Sequence, residues 1–480
     1  MRTFCFLVSM TIAVHLRFTS SFSLTSQILQ TLRFRKFGTA RTTNLRIYPS
    51  GFPNIKKNKK HPLLENKQRT TISMCGVSLE SERDRMGNEK DRTGCDSKPS
   101  AKLVPSTDIE KCGEHLRQGG LVAFPTETVY GLGCNALDSS AIIKVFEAKE
   151  RPLTDPLITH VTENKIAYDL WSADIENSLE GKVLQSLCEK FWPGPLTLVA
   201  KAAPEVPPIL MANTGFCACR SPQHPISVAL INAAKVPIAA PSANKFGHVS
   251  PTRSSHVWHD LKHEDVWIVE EQQEKNSVGS CCEVGVESSV AKIEMINDGE
   301  RGQITLLRQG AVSIRDIEEC LEEVGLEKKF QVVALTKRAT DETVCNVAPG
   351  QTIRHYSPNI PSFILSMSLC NSAATTVVSD NDKEFLSKSV LIDFGGRLKS
   401  WEKLALAYRD LSKTANSAEA TNVVFETLRW AENVDCANQI LFPEISDEID
   451  QNTSLDALAL ALKDRLTRAA SGVVIDCLNR

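Results

Sequence analysis

Residues 125–133 read Pro-Thr-Glu-Thr-Val-Tyr-Gly-Leu-Gly and follow the apolar run Leu-Val-Ala-Phe at 121–124. A short apolar run of this kind reads as a buried strand. Hydroxyls, a carboxylate and glycine backbone at its end suit a ligand that must approach the chain closely. Taken alone, the same residues also make a Pro/Gly turn with threonine capping. Further on stand Lys149-Glu150-Arg151-Pro152, Asp155-Pro156-Leu157-Ile158-Thr159-His160, Pro241-Ser242-Ala243-Asn244 and Ser250-Pro251-Thr252. Lysine supplies a point charge and arginine a fixed fork of donors, the complementary pair that phosphoryl or nucleotidyl transfer needs where negative charge develops. A lone Lys-x-Arg is equally at home as a solvated cationic helix end.

These groups need elements to hold them. Asp138 or Ser139 can cap a helix whose apolar residues Ile142, Val145 and Phe146 recur at helical spacing, and Pro152 stops it. Lys149 and Arg151 are thus expected to emerge at its end, in an exposed cleft. Strands are expected at 121–124, 157–161, 196–200, 217–220, 236–240, 267–269, 290–294 and 304–307, giving an α/β layer, and a closing helix at 312–324 ends it near Gly325. Residues 325–361 read as an ordered linker of a length that often marks a lid, or else a plain spacer. Beyond it, strands at 363–367, 390–394 and 439–442 alternate with helical stretches at 404–415, 419–433 and 454–469, which predicts a parallel sheet. Gly395-Gly396 follows a strand, but no Gly-x-Gly-x-x-Gly accompanies it, which argues against a dinucleotide site.

The order and spacing of these motifs carry a resemblance. Together with Phe191-Trp192-Pro193-Gly194-Pro195-Leu196-Thr197-Leu198, Gly285-Val286-Glu287-Ser288-Ser289 and Leu307-Arg308-Gln309-Gly310, the chain from about Asp108 to Asp316 resembles the YrdC-type threonylcarbamoyl-adenylate synthases. Pro349-Gly350-Gln351-Thr352-Ile353-Arg354-His355-Tyr356-Ser357-Pro358 resembles the linker of their longer, two-domain form. The resemblance implies an open, twisted mixed sheet (YrdC-like, RibB-like α/β) with a concave, positively lined face, and a smaller Rossmann-like parallel α/β domain at the C-terminus that covers or regulates it. The implied reaction joins L-threonine, bicarbonate and ATP into threonylcarbamoyl-adenylate and pyrophosphate. A partner transferase would then carry the threonylcarbamoyl group to the adenosine beside the anticodon of tRNAs.

Residue by residue, the resemblance implies that Thr128, His160, Arg220 and Ser288 hold threonine, Arg220 through a bidentate fork to its carboxylate. It implies that Lys149, Arg151, Asp155, Ser242, Asn244, Ser250, Arg308 and Tyr356 hold ATP, with Lys149 and Arg151 serving catalysis and Arg354, His355 and Tyr356 crossing the site. Mg²⁺ would be held mainly through phosphate oxygens. The sequence departs from the family pattern in places. Asp155 stands where Asn is common, so its carboxylate would repel a triphosphate unless a cation compensates. Ser289 replaces a threonine, Gln309 a proline and Phe216 a small hydroxyl residue, and the polar stretch 270–279 is long.

Composition fits this reading without adding to it. The 480 residues are 42% hydrophobic, enough for two or three domains, and a net charge of -3 gives no global affinity for nucleic acid. Any tRNA contact would be weak and confined to a local patch. A noncatalytic RNA-binding module is the alternative, but aromatic and basic residues do not interleave as base-stacking surfaces require. A related carbamoyl-adenylate chemistry belongs to chains with acylphosphatase and zinc-finger modules, which are not evident here. The fifteen cysteines lack Cys-x-x-Cys pairing and read as reduced structural thiols. Residues 1–64 contain no Asp or Glu and many Arg, Lys, Ser and Thr, the composition of a plastid or mitochondrial transit peptide. The apolar run at 4–14 is too short to cross a bilayer, though it could be read as a secretory segment, and Met74 or Met86 could start a cytoplasmic form. The expected organisation is a targeting segment at 1–64, a disordered linker at 65–104, the synthase domain at 105–324, a linker or lid at 325–361 and the C-terminal domain at 362–480.

Overall fold

Buried strands alternate with one-sided helices throughout the computed structural model, which describes residues 100–271, 281–296, 301–335, 346–348, 356–372, 378–445 and 456–478. The expectations for residues 1–99, for most of the 270–279 stretch and for Arg354 and His355 lie outside the described residues. The first domain runs β1 (Lys102–Pro105), α1 (Ile109–Arg117), β2 (Val122–Phe124), β3 (Gly131–Asn135), α2 (Ser139–Lys149), β4 (Ile158–His160), α3 (Asn164–Leu170), α4 (Leu179–Phe191) and β5 (Leu196–Lys201). It continues with β6 (Phe216–Arg220), α5 (Pro225–Ala234), β7 (Ile238–Ala239), α6 (Ser254–Leu261), β8 (Trp267–Glu270), β9 (Ser289–Ile296), β10 (Arg301–Arg308), α7 (Ile314–Glu323) and β11 (Phe330–Ala334). The second domain comprises β12 (Ser362–Leu365), α8 (Met367–Ser372), α9 (Asp380–Ser387), β13 (Ser389–Asp393), β14 (Ala407–Asp410), α10 (Ser417–Glu432), β15 (Gln439–Pro443), α11 (Ala457–Ala469) and β16 (Val474–Ile475).

Among the described residues the first domain forms one mixed sheet of eleven strands, ordered β1-β8-β2-β3-β7-β4-β6-β5-β9-β10-β11, and the second a sheet of five ordered β14-β13-β15-β12-β16. Every pairing in the smaller sheet is parallel. Parallel strands covered on both faces must be apolar along their length, and β13 is buried at all of its positions.

Register places the chemistry. Parallel pairing of β4 with β6 sets His160 opposite Arg220. Parallel pairing of β5 with β9 sets Leu196 opposite Ser289, and an irregularity in the β9–β10 pairing brings Arg308 opposite Val290. Asp138 caps α2 by accepting from the Ser140 and Ala141 amides, as its position before the apolar repeat requires. A capping box between Ser313 and Asp316 starts α7.

Four elements depart from the expectations. The stretch 65–104, expected as a disordered linker, ends in strand β1, which pairs in parallel with β8 and puts its Val104 in the core. The glycine-bearing segment after Tyr130 is strand β3, paired antiparallel with β2 and β7. The first domain does not end near Gly325, because β11 follows α7 and extends the sheet beside β10, so residues 325–361 are not linker throughout. Residues 404–415 are not helical. Ala407–Asp410 are strand β14, the edge partner of β13, where sheet pairing overrides the local run of helix formers. No helix among the described residues is long and apolar enough to cross a membrane.

One apolar cluster spans both domains, with Val129, Val249 and Val286 from the first packed with Tyr356, Phe425, Leu428, Leu462 and Leu466. A polar seam runs beside it: Arg429 on α10 pairs with Asp260 at 2.9 Å, Arg253 with Glu426 at 3.0 Å, and the Asn422 amide donates to the Glu283 carbonyl at 2.9 Å. Gly285 reaches this seam with φ +74, and a Cβ there would lie 2.3 Å from the Thr421 carbonyl oxygen, so only glycine fits the approach.

Candidate active site

The Thr126 hydroxyl organises the turn between β2 and β3: it donates to the Val129 carbonyl at 2.7 Å and accepts the amides of Thr128 and Val129. This is the capping turn foreseen from composition, and it also aims Thr128 at Arg220. The Arg220 guanidinium, at the end of β6, donates from Nη1 to Thr128 Oγ1 at 2.9 Å and from Nε to the Gly194 carbonyl at 3.2 Å. Its Nη2 pairs with Glu127 at 2.5 Å, and both side chains are buried. Three of the five guanidinium N–H groups are thereby committed, leaving one on each terminal nitrogen. Burial alone would raise the Glu127 carboxyl, but the Arg220 charge and hydrogen bonds outweigh it and hold it below the usual carboxylate range.

Thr128, Arg151, His160, Arg220, Ser242, Ser288 and Arg308 line one cavity. Its volume, about 40 Å³, is far below that of an occupied ligand site. Ser288 Oγ shares a hydrogen with Thr197 Oγ1 at 2.8 Å and accepts from Arg308 Nη2 at 3.1 Å, while Arg308 Nε donates to the Ser288 carbonyl at 2.9 Å. Burial, followed by the Arg220 charge, pushes His160 down to about 3. Its imidazole is therefore neutral, and it packs edge-on against Phe124 at 6.2 Å.

Lys149, Asp155, Asn244, Ser250 and Tyr356 stand behind the cavity walls. Neither Lys149 nor Arg151 lies in an exposed cleft as expected; their residues are 1% and 7% exposed. Lys149 falls on the buried stripe of α2 with Ile142, Val145 and Phe146, and a left-handed Glu150 ends the helix before Arg151. Lys149 Nζ donates to the Ser242 carbonyl at 2.5 Å and to the Asn244 carbonyl. Burial and then the nearby Arg151 push its ammonium well below the usual lysine range. Asn244 Nδ2 donates to the Lys245 and His248 carbonyls, both at 2.8 Å, so Lys149 and Asn244 together shape the loop carrying Ser242 and Ser250.

The unusual Asp155 has its compensating cation. Its carboxylate pairs with Arg151 at 2.9 Å with both side chains buried, and Arg151 also donates to the Asp155 and Pro156 carbonyls. Ser289 keeps its hydroxyl in use, donating to the Val312 carbonyl at 2.6 Å. Ser250 donates to Glu287. Tyr356 is fully buried, its ring 5.4 Å from that of Phe425 and flanked by the guanidinium groups of Arg465 at 5.2 Å and Arg468 at 4.6 Å. Burial, then the Glu287 charge, raises its phenol.

Residues 114–310 match the Sua5/YciO/YrdC family, described as "Telomere recombination", and residues 312–471 match the family described as "Threonylcarbamoyl-AMP synthase, C-terminal domain". The threonylcarbamoyl-AMP synthase of Alkalilimnicola ehrlichii is 35% identical over 152 residues, covering 32% of this chain and 75% of that protein. The chain belongs to the Sua5/YciO/YrdC family. The Bacillus subtilis threonylcarbamoyl-AMP synthase is 35% identical over 254 residues, which cover 53% of this chain and 65% of that relative's length. Among solved structures, Pyrococcus abyssi Sua5 complexed with L-threonine is 28% identical and superposes with a TM-score of 0.62, over 78% of this chain and 99% of that one.

This Sua5/YrdC chain contains three site residues that the sequence reading did not single out. Glu127 and Glu287 lie inside recognised motifs, where a carboxylate beside a hydroxyl was the available signal. Arg465 comes from α11 and no local pattern marks it. Each carboxylate around the cavity is paired with an arginine: Glu127 with Arg220, Asp155 with Arg151 and Glu287 with Arg465. Among the described residues, no group of three or more His, Cys, Asp or Glu is arranged to hold a metal ion.

Proposed function

We propose that the protein is an L-threonylcarbamoyl-adenylate synthase. The observation that carries this reading is the convergence of Arg220 and Thr128 on the same small cavity as Arg308, Ser288 and Arg151. That places a carboxylate-binding fork beside cations suited to phosphate. The naming of the Alkalilimnicola and Bacillus relatives, and L-threonine in the Pyrococcus protein, support the same assignment.

In this reading the two remaining Arg220 N–H groups hold the threonine carboxylate, and Thr128 and Ser288 bond its polar groups. The threonine nitrogen combines with bicarbonate, losing water, to give an N-carboxylate. One carboxylate oxygen then forms a bond to the α-phosphorus of ATP as the bond to the bridging oxygen breaks and pyrophosphate leaves. Arg308 offsets charge on phosphate, Arg151, its charge matched by Asp155, offers remaining N–H donors, and the neutral His160 serves as a hydrogen-bonding wall rather than a cation. In-line transfer at phosphorus depends on positioning and charge more than on a strong base. The nearby carboxylates already have arginine partners, so Mg²⁺ would be held by the triphosphate oxygens and would supply charge neutralisation there. The labile adenylate passes to a tRNA threonylcarbamoyl transferase, and the acid-free residues 1–64 support delivery to a plastid or mitochondrion.

The test is pyrophosphate release with ATP and Mg²⁺, omitting threonine and bicarbonate in turn. Release that requires both is expected. Release without threonine would assign another acceptor, and no release from a folded protein would overturn the reading.

A further inference from the structure

Glu287 faces two domains at once. Its side chain lines the cavity and accepts the Ser250 hydroxyl, while its Oε2 accepts from Arg465 Nε at 3.0 Å. Arg465 lies on α11 and its side chain has no solvent exposure. It is fixed further by donating from Nη1 to the Gln309 carbonyl at 2.8 Å and to Asp464 at 3.0 Å. Gln309 follows Arg308, and Gly310 closes the turn. A Cβ on Gly310 would lie 2.3 Å from the Ser289 amide nitrogen, so the arginine-bearing and glutamate-bearing segments are in direct backbone contact.

We propose that Arg465 is a positioning residue of the nucleotide site, reaching it through Glu287, so that the second domain sets the charge on the wall that meets the polyphosphate. This deepens the synthase reading and rests on it. The groups facing Glu287 are Arg308 from β10, Ser250 from its loop, Tyr356 from the segment before β12 and Arg465 from α11; Arg465 is also paired with Asp464, and Arg468 lies over the Tyr356 ring. Burial raises the carboxyl, and Arg465 and then Arg308 outweigh burial to hold it low. With Arg465 removed, Arg308 remains as the nearest counter-charge. A buried carboxylate so weakened takes up a proton at higher pH than before. Where it is protonated, the wall has lost one positive and one negative charge. Where it is ionised, the wall is one unit more negative toward phosphate than in the wild-type protein, with Arg308 still beside it.

Titration calorimetry of the full chain with MgATP, without threonine or bicarbonate, tests this across neutral pH. For Arg465→Met, the ratio of variant to wild-type Kd is expected to rise with pH, on the order of tenfold for one uncompensated charge. Arg465→Met combined with Glu287→Gln is expected to give a ratio independent of pH. A flat ratio in the single variant, or a lowered melting temperature as its sole effect, would overturn the proposal and leave Arg465 as packing. Should Arg465→Met not fold, Glu287→Gln alone decides: removal of the carboxylate should tighten MgATP binding on the order of tenfold, and unchanged binding overturns the proposal. If the wild-type protein binds no MgATP, the synthase reading falls first.

Discussion

His248 Nε2 lies 3.0 Å from Glu432 Oε1, joining the loop that carries Ser250 to helix α10 of the second domain. The other ring nitrogen faces Asp260 at 2.8 Å, and Asp260 is in turn bound by Arg429. An imidazole donates to two carboxylates at once only when doubly protonated.

The domain seam should therefore weaken as pH rises. Burial alone would lower His248, and the hydrogen bonds to Asp260 and Glu432 outweigh it, raising the group above its ordinary value, with Arg429 opposing. A histidine raised on folding contributes stability that is fully present below about pH 6.5 and lost as pH climbs through the folded value. The thermal midpoint of the wild-type protein should fall across that window, and His248→Gln should flatten the fall. A midpoint with equal pH dependence in both proteins would refute the assignment.

Glu127→Ala strands the Arg220 guanidinium, buried and without its counter-charge. Loss of one partner of such a pair costs about 3–5 kcal/mol, measurable by denaturant unfolding. In steady-state kinetics the threonine KM should rise more than the ATP KM, because the carboxylate-binding fork loses its orientation. Equal effects on both substrates would argue for a general folding defect.

Lys149→Met should reduce stability as well as activity. Its ammonium bonds the Ser242 and Asn244 carbonyls, and each buried acceptor left unsatisfied costs about 1–3 kcal/mol. Denaturant titration beside MgATP calorimetry checks this. Unchanged stability with lost binding would instead make Lys149 a direct phosphate ligand.

Gly310→Ala should destabilise the fold although it adds one methyl group. The new Cβ would meet the Ser289 amide nitrogen at 2.3 Å and the Glu287 carbonyl at 2.7 Å, backbone atoms that cannot swing aside. Overpacking of this kind costs about 1–3 kcal/mol, and the loss should appear as a lower denaturation midpoint.

The strands that carry the site were legible because they are buried apolar runs: β2, β4, β5 and β6 fall where the residue pattern puts them. The cavity-lining residues were legible from motif order, since Thr128 and Arg308 lie inside recognisable segments and Arg220 ends an expected strand. What was hidden depends on distant partners. Strand β3 is rich in glycine and reads as a turn until β2 and β7 flank it, and β14 exists because β13 needs an edge partner. Lys149 looks like an exposed helix-end cation by its residue type, yet it falls seven residues after Ile142 on the buried stripe of α2 with Val145 and Phe146. Arg465 sits 178 residues from Glu287, beyond the reach of any local pattern.

Three consecutive residues, Glu287, Ser288 and Ser289, grip three different things: an arginine of the second domain, the Thr197 and Arg308 side chains, and the backbone at Val312. One peptide unit separates each grip from the next. The segment thus acts as a tie rod, fastening α11 of the second domain within one residue of the Ser288 hydroxyl that lines the cavity.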